Sequence, residues 1–180
     1  IYHLPSTVYQ KGFTFIEILV VFSVIGILST VGIASFVNYS RSQQLNSAAS
    51  DLTAVINLAR SRAMSQVKPD ICGNNTILEG YEVKICGLST SSCVGSYPSV
   101  TYGYELIVKC SGDNHPIANY NKKLPNPISF NVDGTTTSIF FPVLSGGVRG
   151  KGKIVVGGYN QTRTITINSL GIATQSLTPI

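Results

Sequence analysis

The longest apolar pattern in the sequence lies near its beginning. Residues 18–40 carry no charge, and most of these positions are aliphatic. Because a helix rises 1.5 Å per residue, about 20 such residues cross the hydrocarbon core of a bilayer. The alternative is a fully buried core helix, which rarely runs this long without a charge. The run therefore predicts a membrane-spanning segment.

The apolar pattern then narrows to one face of a helix. Polar residues such as Arg41, Asp51 and Asn57 fall mostly on the other side. Pro69 ends the pattern, because the residue before a proline is disfavoured in a helix. We predict one helix from about residue 13 to residue 66, apolar all round in its first half and amphipathic in its second. The apolar face consists of Leu45, Ala48, Ala49, Leu52, Val55, Ile56, Ala59 and Ala63.

The chain from about Asp70 onward reads as short strands separated by Gly-, Ser- and Asn-rich turns. Residues 162–167 alternate between polar and apolar, which is typical of a strand with one buried face. Asp133-Gly134 suits a tight turn, and residues 87–100 are predicted to form a Ser-rich loop. The predicted strands are 81–86, 102–109, 128–132, 138–143, 153–156 and 162–168, with a short one near Ile172.

These elements predict an α+β fold, in which a long N-terminal helix packs on a C-terminal antiparallel β-sheet head. The membrane half of the helix is residues 13–40, the amphipathic half is 41–68, and the β-rich head is 69–180. Charged residues make up 12% of the chain, about half of the usual share of roughly 25%. The net charge of +5 is mild, so it argues only weakly for an anionic partner.

A short motif stands directly before the uncharged run. An ordinary signal peptide has an apolar stretch of about 7–15 residues with a small-x-small cleavage site after it, and this sequence has neither feature. Here Gly12 precedes the apolar run. The sequence Lys11-Gly12-Phe13-Thr14-Phe15-Ile16-Glu17 resembles the cleavage and methylation motif of type IV prepilins and of the related type II secretion pseudopilins.

The resemblance implies a precursor with a pilin-like fold, whose residues 1–12 form a leader peptide. Gly12 is then the last leader residue, and its missing side chain lets a membrane-embedded aspartyl peptidase close on the bond to Phe13. Phe13 becomes the mature N-terminus, and its amine is methylated. The implied product is a structural subunit, a minor pilin or pseudopilin, that joins a type IV pilus or a secretion-type filament through its N-terminal helix.

Partners and location also follow from the resemblance. The implied partners are other pilin or pseudopilin subunits, the prepilin peptidase and methylase, a membrane assembly platform, and membrane lipid before assembly. The precursor is expected to cross the cytoplasmic (inner) membrane once, with its head outside. The mature chain is expected in a cell-surface pilus or a periplasmic pseudopilus.

Glu17 is a carboxylate at the edge of the apolar run. Placing an acid in a membrane helix costs about 2.5–3.5 kcal/mol on insertion scales, so such residues usually have a function. Its nearest candidate partner is the new amine of Phe13, on the same chain or on the next subunit, and that pairing would fix the register of one helix against another. The alternative is an interfacial Glu that reaches water at the edge of the span.

A second resemblance involves the later helix and the C-terminal strands. Ser50-Asp51-Leu52, the segment 58–63, and the closing Ser169-Leu170-Gly171-Ile172 are similar to the GspH/FimT group of minor pseudopilins. That group ends in a Gly-Arg pair with further basic residues, whereas Gly171 is followed here by Ile172. The departure removes the basic tail that a DNA-binding role would use.

Four cysteines, Cys72, Cys86, Cys93 and Cys110, follow the predicted span. In an oxidising compartment an even number favours two disulfides, with three possible connectivities, and free thiols are the alternative. The sequence has no CxxC pair, and His115 is the only histidine after the span. We therefore expect no metal site and no cofactor.

A basic cluster, Arg149, Lys151 and Lys153, lies in a glycine-rich stretch. It is not a phosphate-binding loop, because Lys151 is not followed by Ser or Thr and a strand rather than a helix comes next. A cationic strand connection is one interpretation. The other is an anion contact, which with Lys122 and Lys123 would make the chain a minor pilin that binds DNA or a surface. The acids show no catalytic spacing, so we expect no enzyme.

Overall fold

The computed structural model describes residues 12–88, 93, 102–131, 133–150 and 152–178, without the side chains of residues 30–32, 34 and 177–178. The chain divides into two compact units, of which the first ends at Ser40 and the second begins at Arg41. Helix α1, Phe15–Met64, contributes to both units. The β-strands all belong to the second unit.

The C-terminal end of α1 is set by local backbone chemistry. Gln66 has a positive φ of 52°, and its N–H donates to the carbonyl of Ala63. The Val67 N–H donates to the carbonyl of Arg62, at 3.1 Å. This pair of bonds is a Schellman motif, which satisfies carbonyls that the helix itself leaves free. The helix therefore ends two residues earlier than the sequence predicts, before Pro69 is reached.

In the described part of the chain, nine strands follow a short 3₁₀ turn, Asp70–Cys72. Their order in the first sheet is β3-β2-β1-β6, with β4 also pairing with β2, and their order in the second sheet is β5-β7-β8-β9. Every strand pair is antiparallel. The strands are β1 (Leu78–Cys86), β2 (Gly103–Cys110), β3 (Asp113–Pro116), β4 (Lys122–Lys123), β5 (Ser129–Phe130), β6 (Ser138–Pro142), β7 (Gly152–Gly158), β8 (Gln161–Ile167) and β9 (Ala173–Thr178).

One hydrophobic core joins α1 to both sheets. The predicted apolar face of the helix is buried along its whole length, with Leu52 and Ile56 fully enclosed. The sheets contribute large side chains such as Tyr81, Phe141 and Ile165. Each fully buried aliphatic side chain stabilises the fold by about 1.5–3 kcal/mol. The predicted α+β class, a helix packed on antiparallel sheets, is confirmed.

Two strands, β3 and β4, were not predicted from the sequence. Both consist of polar or basic residues without alternation, and they form because they extend β2 along its free edge. The predicted strand 128–132 is reduced to Ser129–Phe130, and Val132 lies outside the described residues. Most of the predicted loop 87–100 lies outside them as well.

Candidate functional site

The predicted cleavage site lies in exposed, non-helical chain. Gly12, Phe13 and Thr14 precede the helix and are exposed. None of the described residues has an atom within 4 Å of where a Cβ at Gly12 would stand. The described part of the fold therefore does not itself require a glycine at position 12. The bond between Gly12 and Phe13 therefore lies in exposed chain outside the helix.

Thr14 caps the helix that carries Glu17. The Glu17 N–H donates to the Thr14 carbonyl at 3.1 Å and to its side-chain oxygen at 3.4 Å. A threonine followed three residues later by glutamate is the capping-box spacing. This role of Thr14 was readable from the sequence but was not predicted. Its effect is to begin the helix at Phe15, shortly after the predicted cleavage bond between Gly12 and Phe13.

Phe13 and Glu17 lie on the same side of this helix end. Together with Ile18, Val21 and Phe22 they line an open groove of about 310 Å³. Phe13 and Phe22 are 78% and 69% exposed. Contiguous apolar exposure of this kind is rare on a folded surface unless it marks an interaction site. The groove thus combines apolar contact area with one carboxylate.

The predicted membrane span, residues 18–40, lies within α1. Taking only the residues that the structure describes, no helix has the combination of length and apolarity needed to cross a membrane.

The four cysteines form two disulfides. Cys72 pairs with Cys110, with Cα atoms 5.7 Å apart, and Cys86 pairs with Cys93, with Cα atoms 5.5 Å apart. Cys86 and Cys93 also lie near the buried Glu105 in a geometry that would suit a metal ion. Because both sulfurs are already in a disulfide, they are not available as thiolate ligands.

The basic residues of the predicted anion contact differ in their exposure and in their ion pairing. Arg149 and Lys153 are exposed, while Lys151 lies outside the described residues. Lys122 forms an ion pair with Asp51 of α1 at 3.1 Å, and Lys123 is exposed beside it. Lys122 therefore contributes to the contact between the helix and the first sheet, and Arg149, Lys153 and Lys123 are exposed and available for contacts.

A polar connection between α1 and the second sheet was not predicted. Asn57 donates to the carbonyl of Ala173 at 3.4 Å and accepts from the Ala173 N–H at 3.2 Å. Arg60 donates to the carbonyl of Leu170 at 2.7 Å. These side chains satisfy backbone groups of β9 and of the turn before it. The sequence carries no signal for them, because a polar residue on the outer helix face is normally read as solvated.

The comparisons with known proteins bear on the N-terminal region that contains Gly12, Phe13 and Glu17. Residues 8–33 match the family model described as the prokaryotic N-terminal methylation motif. The match covers Gly12, Phe13 and Glu17, and it confirms the predicted motif. No curated protein and no solved structure was found to match the chain.

The motif and the architecture bear together on the class of protein. The N-terminal methylation motif and a helix packed on antiparallel sheets support a type IV prepilin or pseudopilin. The similarity to the GspH/FimT group has no counterpart among these matches and stays a prediction.

Proposed function

We propose that this chain is a structural subunit, a minor pilin or pseudopilin, of a type IV pilus or a type II secretion-like filament. The observation that carries the proposal is the methylation motif over residues 8–33, placed where exposed chain becomes helix. In this proposal residues 1–12 are a leader, and the charge-free run 18–40 anchors the precursor in the cytoplasmic membrane. The disulfide-bonded head lies outside, and the filament or pseudopilus contains only the processed chain.

Processing is proposed to occur by hydrolysis of the peptide bond between Gly12 and Phe13. The support is that this bond is exposed and non-helical, and that none of the described residues occupies the space beside Gly12. A requirement for glycine would then come from the peptidase. Hydrolysis frees the amine of Phe13, which becomes the substrate of the methylase.

Replacing Gly12 tests this step without disturbing the fold. Gly12→Leu co-expressed with a prepilin peptidase is expected to remain at precursor mass, while Gly12→Ala, the small control, is still cleaved. Equal cleavage of the leucine variant, or cleavage at another bond, would contradict the proposed site. The circular dichroism spectra of both variants should match that of the parent, since the added side chain contacts none of the described residues.

Assembly is proposed to use the first turns of α1. Glu17 borders the groove that Phe13 also lines, so the carboxylate is placed for the methylated amine of a neighbouring copy. Such a pair neutralises both charges and fixes the axial register between subunits. The exposed apolar side chains beyond it, such as Ile27 and Phe36, then pack against those of other subunits.

Glu17 variants separate this role from simple contact with water. Glu17→Ala is expected to insert into the membrane as well as the parent or better, because it removes a charge from the apolar segment. Its incorporation into filaments should nevertheless fall. Glu17→Gln keeps the size and loses the charge, so it should fail in the same way. Filaments that contain either variant at the parental level would sink the register role.

A second candidate function, binding of DNA or another anionic surface, has the exposure of Arg149, Lys153 and Lys123 in its favour. Contacts to phosphates would make the affinity fall steeply with salt. Arg149→Gln combined with Lys153→Gln should then weaken duplex binding at low salt. Binding that is absent at low salt, or unchanged in this double variant, would contradict it.

A further inference from the structure

Arg163 on β8 is a buried cation that has no counter-ion among the described residues. Its side chain faces the core side of the second sheet, and the residue is 9% exposed. One terminal nitrogen donates to the Thr162 carbonyl at 3.0 Å and the other to the Ser42 hydroxyl at 3.3 Å. The Nε–H is buried and has no hydrogen-bond partner among the described residues. Burying a charge is costly unless an opposite charge or a full set of hydrogen bonds compensates it.

A second arginine, Arg41, precedes Ser42 on α1 and lies near the same contact between α1 and the second sheet. The guanidinium carbon of Arg41 is 5.5 Å from the centre of the Tyr159 ring, and the Tyr159 hydroxyl donates to Gln44 at 2.8 Å. Tyr159 and Asn160 form the β7–β8 turn, with φ of 54° and 57°, which is the backbone of a tight hairpin turn. The turn therefore holds the Tyr159 ring against Arg41 and Gln44, in the part of α1 that begins the second unit.

Neither arginine is neutralised within the described part of the chain. The ion pairs Lys109–Glu82 and Lys122–Asp51 lie on the first sheet or beside it. A guanidinium offers five N–H donors and no acceptor, so both arginine side chains suit an anionic ligand. This cluster, Arg41 and Arg163 with Ser42 and Tyr159, will be called the junction cluster. It lacks an anion.

We propose that the junction cluster binds the phosphate of an anionic phospholipid headgroup while the precursor is anchored in the membrane. Arg41 is the first residue after the charge-free run 18–40, so in an anchored precursor it stands at the level of the headgroups. Guanidinium groups match phosphate oxygens with paired hydrogen bonds, and tyrosine rings are enriched at that level. The inference rests on the proposed function, because only a membrane-anchored precursor brings the cluster to lipid.

Native mass spectrometry of the full chain in a neutral detergent tests this site. Phosphatidylglycerol and phosphatidylcholine are the probes, and inorganic phosphate is the competitor. We expect phosphatidylglycerol to bind about tenfold more tightly than phosphatidylcholine, and Arg163→Gln or Arg41→Gln to remove most of that difference. Lys68→Gln, which removes the same charge from an exposed position beyond the C-terminal end of α1, should leave it unchanged. If Arg163→Gln fails to fold by circular dichroism, the exposed Arg41→Gln carries the test.

Several results would overturn the site. Equal binding of the two lipids, or an equal loss in Lys68→Gln, would show that net charge alone attracts the lipid. Displacement by inorganic phosphate at matched concentration would mark a free-anion site. A dimer that the junction variants abolish would assign the anion to a second copy. These results leave leader cleavage untouched, whereas a chain that is never cleaved or methylated contradicts the proposed function and not the headgroup selectivity.

Discussion

Two buried tyrosines on neighbouring strands differ in what their hydroxyl groups contact. The Tyr81 hydroxyl donates to the carbonyl of Val67 just beyond α1, whereas the Tyr104 hydroxyl has no hydrogen-bond partner among the described residues. Burial raises the pKa of both hydroxyls. The negative charge of Asp51 raises the pKa of Tyr104 further, and the charge of Arg62 partly lowers that of Tyr81.

Removing the two hydroxyls should therefore have opposite consequences. Tyr81→Phe is expected to lower the free energy of unfolding by about 1 kcal/mol, because it leaves the Val67 carbonyl without its partner. Tyr104→Phe should leave it unchanged or raise it, since it removes a buried polar group that nothing satisfies. Urea denaturation followed by circular dichroism measures both. Equal losses in the two variants would mean that the Tyr104 hydroxyl is satisfied after all.

At the scale of elements, the amphipathic half of α1 is where sequence and structure agree best. All eight predicted face residues are buried, because spacing of three and four residues fixes a helix face whatever packs on it. The pairing of the cysteines was not predictable. It depends on strand register, because Leu78 at the start of β1 lies opposite Cys110 at the end of β2. Cys72 comes shortly before Leu78 in the sequence, so this register brings Cys110 close to Cys72.

A charge on the packed face of α1 should unfold the head. Leu52 is fully buried, and Ala54, two residues on, is exposed. Leu52→Asp removes a large apolar side chain and buries an unpaired carboxylate, so we expect a loss above about 3 kcal/mol. Ala54→Asp adds the same charge in water and should change stability by less than about 0.5 kcal/mol. Similar melting curves for the two variants would place the wrong helix face against the sheets.

The two disulfides should contribute unequally. Cys72–Cys110 closes a loop of 38 residues and Cys86–Cys93 a loop of 7. In the chain-entropy account the first contributes about 4 kcal/mol and the second about 2 kcal/mol. Paired replacement by alanine, one bridge at a time, should follow this order in guanidinium denaturation. The reverse order would show that contacts around Cys86 outweigh chain entropy.

For the whole molecule, the candidate site was predictable where it is local and not where it is tertiary. Gly12, Phe13 and Glu17 belong to a continuous motif whose order carries the chemistry. The junction cluster instead joins Arg41 to Arg163 across most of the chain, through a hairpin turn that only the fold brings to the helix. Sequence periodicity places residues on faces, but it does not say which hairpin meets which helix turn.

The division of the chain at Ser40 and Arg41 leads to a prediction about separable parts. A fragment that begins at Ser40 keeps the buried face of α1 and should be soluble, monomeric and cooperatively folded. A fragment that begins at Asp70 exposes the sheet surfaces that this face covers, so it should aggregate or unfold. Thermal melts and gel filtration compare the two. A well-folded Asp70 fragment would show that the helix is not part of the core.

Filaments are proposed to contain this chain only after cleavage of the bond between Gly12 and Phe13. Mass spectrometry of protein recovered from filaments or pseudopili measures this directly. The account predicts an N-terminal peptide that starts at Phe13 and carries one methyl group on its amine. A peptide that retains residues 1–12, or one that starts beyond Ser40, would contradict it.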